Sequence, residues 1–303
     1  MTRSGRSAAV LAVLALAGMG LRVSAFGRPQ ASLASLADRV ELPSLGTVVP
    51  MDDLSGRPVV GVWINGRGPF PFIVGTGAPV TAITQDLVND LGLTPDSDEL
   101  ASGPFLADEL RVGEAVAHAV PLGRTVVVSG QGDTPVRGVL SPASFPGVLF
   151  ALDYLGGRLR LLSGALQPPD GHRVFEYPPE ETVPTVSVDV AGHAFDVQVD
   201  SNAPGGLTLP TRDAADLPLA DQPIEIGRVV EVFGDFPVSV ATLNGIVGIG
   251  DFPLEIHSII FSDLRPVLGA GRGSIGARIL ETFVLTLDVK NHRLRFDRPG
   301  GGD

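Results

Sequence analysis

Apolar β-formers alternate with tight turns along this chain, and one such unit occurs twice. Phe72–Val80 reads FIVGTGAPV and Val197–Leu207 reads VQVDSNAPGGL. Each is an apolar run that stops at small and hydroxyl residues, passes through Ala-Pro and becomes apolar again. The first copy has Gly75 at the turn and the second has Asp200. Around the first copy, Val59–Asn65 predicts a strand ending in Asn65-Gly66, a strong hairpin signal. Phe70–Val74 returns as its partner and Val80–Ile83 continues as strand. Leu87, Val88 and Leu91 in Gln85–Leu91 have helical spacing and stop at Gly92, which predicts one short helix. Glu109–Val128 predicts further strands with a turn at Gly113-Glu114. Gly138–Leu161 predicts a strand, a turn and a hairpin tipped by Gly156-Gly157.

Pro168-Pro169-Asp170-Gly171 and Pro178-Pro179 then mark a boundary, and the order begins again: Thr185–Val190, a turn at Ala191-Gly192, Phe195–Val199, Asp200, Leu207–Leu209. The tails of the two halves align without a gap. Gly138–Leu161 (GVLSPASFPGVLFALDYLGGRLRL) matches Gly273–Phe296 (GSIGARILETFVLTLDVKNHRLRF) at an offset of 135 residues, whereas the turns at 75 and 200 lie 125 apart. The second half therefore carries about ten extra residues between turn and tail. A repeat built of short strands and Gly/Pro turns predicts an all-β molecule of two similar lobes related by an approximate two-fold axis.

Composition narrows the setting. Met1–Arg6 carries Arg3 and Arg6, Ser7–Leu21 is nearly uncharged, and Val23-Ser24-Ala25 ends it in a small-x-small pattern. This is the pattern of a secretory signal peptide over 1–25, which predicts export to the periplasm or the extracellular space; an uncleaved anchor is the competing reading. Residues 26–58 read as a linker and N-terminal segment, followed by lobes over 59–163 and 173–298. The chain has no cysteine, which rules out disulfides, thiolate chemistry and lipid attachment after the apolar run. A net charge of −12 argues against nucleic acid and anionic lipid as partners.

Two such turns meeting at a two-fold axis could bring two aspartates a few ångström apart. Such a pair shares one proton, so one carboxylate activates water while the other polarises a peptide carbonyl. The order strand, Asn-Gly hairpin, Phe-Ile-x-x-Thr-Gly-Ala, apolar strand, short helix and later glycine-ended segment resembles the retropepsin-like and pepsin-like aspartyl proteases. It looks most like their bacterial exported two-lobe members. The resemblance implies two retropepsin-like (acid-protease) β-barrel lobes with a central cleft. Gly75-Thr76-Gly77-Ala78 stands where that family has Asp-Thr-Gly-Ala or Asp-Thr-Gly-Ser, and Asp200-Ser201-Asn202-Ala203 stands at the second such place. Gly273–Gly276 and Gly138–Ser141 match the glycine-ended segment beside the catalytic loop, with Ser141 replacing the last glycine of the first.

The departures bear on activity. Gly75 removes one carboxylate, and Asn202 replaces the glycine whose backbone lies close to the carboxylate in the family. Thr76 and Ser201 keep the hydroxyls that, by the resemblance, brace the two loops across the interface. Losing an essential member of a catalytic unit commonly costs on the order of 10⁴-fold in turnover. The leading expectation is a peptide-binding pseudoprotease taking a peptide or unfolded protein segment in the cleft, with a monomer favoured. The alternative is an active aspartic-type endopeptidase that uses Asp200 and an unidentified second acid, either another carboxylate reaching the vacant place or the Asp200 of a second chain. A third class, a cleft serving a non-peptide ligand, stays open.

Other residues carry blander expectations. Asp200 by itself is a turn residue of the Asx type. Asp153 and Asp288, repeated between the halves, read as structural turn or ion-pair residues. Phe233-Gly234-Asp235-Phe236 reads either as a flap-like hairpin over the second lobe's side of the cleft or as a surface hairpin. The five histidines have no metal-ligand spacing, and neither a nucleophile elbow nor a phosphate loop occurs, so no metal and no cofactor are expected.

Overall fold

The computed structural model describes residues 37–94, 104–125, 135–203, 205–231, 234–263 and 272–300. The signal-peptide expectation lies outside these residues. Asn65 and Gly66 both take left-handed backbone (φ 50° and 75°) and join Arg57–Ile64 to Arg67–Val74, the turn an Asn-Gly pair favours. Strict alternation buries Val60, Val62 and Ile64 on one face of the first of these strands. The helix forms over Gln85–Leu91, where the Thr84 hydroxyl accepts from the Leu87 N–H and Gly92 closes the last turn at φ 69°. Downstream of the first loop, regular strand is confined to Ala82–Ile83. Val80 and Thr81 lie outside it, and the buried Thr81 hydroxyl instead receives the Ser141 N–H.

The chain is all-β, and its described residues form three sheets. In the first half, Ala115–Arg124, Ala82–Ile83, Gly138–Leu140, Arg67–Val74, Arg57–Ile64 and Phe105–Val112 each pair with the next, and the last pairs back to the first. They make a closed six-stranded barrel. The second half repeats the start of this path with Ser258–Phe261, Leu207–Leu209, Gly273–Ile275, His193–Val199 and Thr185–Val190. It does not close. Ser258–Phe261 pairs instead with Gly234–Thr242, the inner strand of a long hairpin with Ile224–Glu231. This hairpin accommodates the extra length of the second half, and residues 232–233 at its tip lie outside the described residues.

The third sheet belongs to both halves, in the order Val174–Glu176, Arg293–Asp297, Val284–Asp288, Val148–Asp153, Arg158–Ser163, Thr47–Pro50. Its central pair registers Phe150 with Leu287, Ala151 with Thr286 and Leu152 with Leu285. Ala151 and Thr286 are also counterparts in the sequence repeat, so the approximate two-fold axis passes between them. The apolar core is continuous across this sheet, and Phe145, Phe150, Phe283 and Phe296 are fully buried.

Within the stretch read as linker and N-terminal segment (26–58), the described residues from 37 onward form strands. Arg39–Glu41 pairs with the first barrel, Thr47–Pro50 forms an edge of the shared sheet and Asp52–Leu54 pairs with Arg57–Val59. Thr47 and Val49 face inward while Val48 and Pro50 face solvent. Four residues of alternation are too few to stand out in a Ser/Ala/Leu-rich stretch; the partner strand makes the signal. Between the halves, Asp170 Oδ1 accepts the N–H groups of His172, Arg173 and Val174, which hold its carboxyl down at about 2.

The sheet at the two-fold is the joint between halves. Phe150→Ala should cost about 3–5 kcal/mol by chemical denaturation, with both halves unfolding in one transition because their cores are continuous.

Candidate functional site

The strands Arg67–Val74 and His193–Val199 each end at the turn that the sequence singles out, and the fold brings the two turns together. Their backbones repeat bond for bond. Gly75 N–H donates to Leu140 O (2.9 Å) and Asp200 N–H to Ile275 O (3.0 Å). Ala78 N–H returns to Gly75 O (3.1 Å) and Ala203 N–H to Asp200 O (3.2 Å). Both are tight turns held against the neighbouring parallel strand.

Thr76 and Ser201 clasp across the axis. Thr76 N–H donates to Ser201 Oγ (3.0 Å), and Ser201 N–H donates to Thr76 Oγ1 (2.9 Å). Each hydroxyl then donates onward, Thr76 Oγ1 to Val199 O and Ser201 Oγ to Val74 O, both at 2.6 Å. Thr76 and Ser201 are buried. All four groups are satisfied by the opposite half, so neither loop completes its hydrogen bonding alone.

Asp200 lies at the edge of this clasp. It is half-buried, and its Oδ1 accepts from Asn202 N–H at 2.9 Å. Burial pushes its carboxyl above the usual range, and the N–H groups of Asn202, Gly77 and Ala203 pull in the opposite direction. Among the described residues no neighbouring carboxylate contributes to the rise. Gly77 provides the room for this carboxyl, since a Cβ there would come within 2.6 Å of Asp200 Cγ. Asn202 occupies the corresponding place in the other loop.

The other expected residues fall as follows. Ser141, which departs from a closing glycine, is fully buried and gives its hydroxyl to Ala78 O at 2.6 Å. In the second half, Gly276 is followed by Ala277, whose N–H donates to Ala203 O at 2.7 Å. Two different donors thus serve equivalent carbonyls. Asp153 pairs with Arg158 Nε at 2.8 Å and accepts Gly156 N–H, and Asp288 accepts from Leu166 N–H at 2.9 Å and from Asn291. Both are structural. Among the described residues no cluster of His, Asp and Glu has the arrangement of a metal site.

Two residues near the site carry no sequence signal of their own. Tyr154 follows the repeated Leu152-Asp153, but its counterpart in the second half is Val289. Burial and then the Asp200 charge push its phenol upward, the Ser201 side chain beside it pulls the other way, and its hydroxyl makes no hydrogen bond of good geometry among the described residues. Val139 lies in the strand beside Gly75, pairing with Ile73. Only spatial adjacency marks them out.

Residues 60–141, from the first barrel's opening strand through the first loop to Ser141, match a family model described as aspartyl protease. This segment is similar to an aspartyl protease domain. No curated protein matches the sequence. Among solved structures, the crystal structure of Basic 7S globulin from soybean is similar at 12% sequence identity and a TM-score of 0.44, over 84% of this chain and 95% of that one.

Two outcomes are expected. Thr76→Val removes the hydroxyl but keeps the shape, leaving Ser201 N–H and Val199 O buried without partners; it should cost about 2–4 kcal/mol in denaturant unfolding. For Asp200, the folded chain keeps its proton to higher pH than the unfolded chain, whose reference value is 3.8. Stability therefore falls as pH rises from 3.8 through the raised value. Since Asn does not titrate, the wild type should gain thermal stability relative to Asp200→Asn as pH drops from 7 to 4.

Proposed function

We propose that this chain is an exported member of the aspartyl protease family whose catalytic pair has degenerated. It is a pseudoprotease that binds an extended peptide or unfolded protein segment between its two lobes. The observation that carries this reading is the retention of two clasped loops around a single carboxyl. Thr76 and Ser201 form the support that a pair of catalytic aspartates would need, while Gly75 supplies no carboxyl and, among the described residues, no other carboxylate bears on Asp200.

The chemistry follows from that count. Hydrolysis through a carboxyl pair needs one group to take a proton from water while the other gives one to the peptide carbonyl. Asp200 can do either but not both. With a raised pKa in a half-buried setting, its protonated form can donate a hydrogen bond to a backbone carbonyl. Such a group holds an extended segment without cleaving it. The apolar N-terminal run after Arg3 and Arg6, closed by Val23-Ser24-Ala25, supports export to the periplasm or beyond.

Hydrolysis of a denatured protein substrate by the mature chain across pH 3–7 should be absent or on the order of 10⁴-fold below that of an intact pair. An array of unfolded peptides should still bind, more weakly above the Asp200 pKa than below it, and Asp200→Ala should remove that pH dependence. Hydrolysis by the native chain that Asp200→Ala abolishes would overturn the reading.

A further inference from the structure

The two loops correspond residue by residue, so the surroundings of Asp200 specify what a carboxyl at position 75 would need. Around Asp200 a glycine stands across the axis and a small residue stands at the equivalent place on the neighbouring strand. Gly77 lies across the axis, where a Cβ would stand 2.6 Å from Asp200 Cγ and 2.9 Å from Oδ1. Ser274 lies on the neighbouring parallel strand, in register with Gln198. Around Gly75 both places differ. Position 139, the counterpart of Ser274 and in register with Ile73, is Val. Position 202, the counterpart of Gly77, is Asn.

These differences fill space. A Cβ on Gly75 would lie 2.5 Å from Val139 Cγ1, well inside contact distance, and 3.7 Å from Asn202 Cβ. The obstructing methyl belongs to a β-branched side chain on a strand, whose rotation is restricted. By the two-fold correspondence, a carboxyl on residue 75 would point at position 202 as Asp200 points at Gly77, and Asn202 has a Cβ there. The backbone at Gly75 is not in the left-handed region, so its conformation does not demand glycine. The neighbours do.

We infer that Gly75, Val139 and Asn202 are one coupled set: Val139 and Asn202 fill the seat of a second carboxyl, so that a methyl at position 75 is accommodated once Val139 is made small and a carboxyl only once both are. The packing claim stands on the geometry alone. That the opened seat would restore hydrolysis rests on the proposed function above.

The test is a thermal-unfolding cycle on the full mature chain. Gly75→Asp is made in the wild type and in a Val139→Ser/Asn202→Gly background, and Gly75→Ala is made in the wild type and in Val139→Ala. In the wild type, Gly75→Asp and Gly75→Ala should each lower Tm, by on the order of 5 °C. In the opened backgrounds each loss should shrink by half or more. Folding of Gly75→Asp in the opened background alone supports the inference equally. Equal losses in both backgrounds, or failure to fold in both, would overturn it. The Asp200 carboxyl, followed by NMR, should titrate in two coupled steps only in the chain carrying all three changes. A single unaltered step there would show that no second carboxyl has reached the seat and would overturn the inference. Hydrolysis is read separately. Coupled titration without turnover upholds the seat and sinks the aspartyl-protease reading, whereas turnover that a statine-type inhibitor blocks upholds both.

Discussion

The clasp between Thr76 and Ser201 is the constraint on which the rest of the site depends. Each residue donates its N–H to the other's hydroxyl, and each hydroxyl donates onward to a carbonyl of the opposite half. All of these groups are buried, so separating the halves would leave several polar atoms without water or partner, and each costs about 1–3 kcal/mol. The loops are therefore held in one geometry whatever stands at positions 75 and 200. The bracing runs through the neighbouring hydroxyls and not through the acid, so it requires no carboxyl at position 75.

A second joint lies beneath the first. The shared six-stranded sheet has its two-fold between Ala151 and Thr286, and the clasp joins the matching loops above it. Together they fix the halves at two points along one axis. The halves themselves have diverged. The first closes into a barrel, while the second opens to pair with a long inserted hairpin. The halves differ in the outer strands and around the two turns, where Val139 and Asn202 beside Gly75 correspond to Ser274 and Gly77 beside Asp200.

Asp200 is the chemical remainder. Its carboxyl is raised by burial rather than by a like charge, which separates it physically from one member of a pair. In a pair, the second negative charge governs the proton. Here desolvation does, moderated by three backbone N–H groups.

Much of this was legible in the sequence because it is local or repeated. The Asn65-Gly66 hairpin, the helix from Gln85 to Gly92, the duplicated tails and the Gly75/Asp200 contrast are all written in short-range spacing and in the offset between halves. Thr76 and Ser201 could be assigned as braces only through the resemblance, and the structure supplies the bonds. Other features depend on pairings between residues far apart in the chain. Thr47–Pro50 becomes a strand because Leu161, Arg160, Leu159 and Arg158 lie beside it, and closure of one barrel but not the other is decided by which strand Ser258–Phe261 meets. That glycine stands at 75 and aspartate at 200 in equivalent turns is written in the chain itself. That Val139 crowds position 75 is visible only in the folded molecule, because crowding is a matter of volume, and Val139 reaches Gly75 across a sheet rather than along the chain.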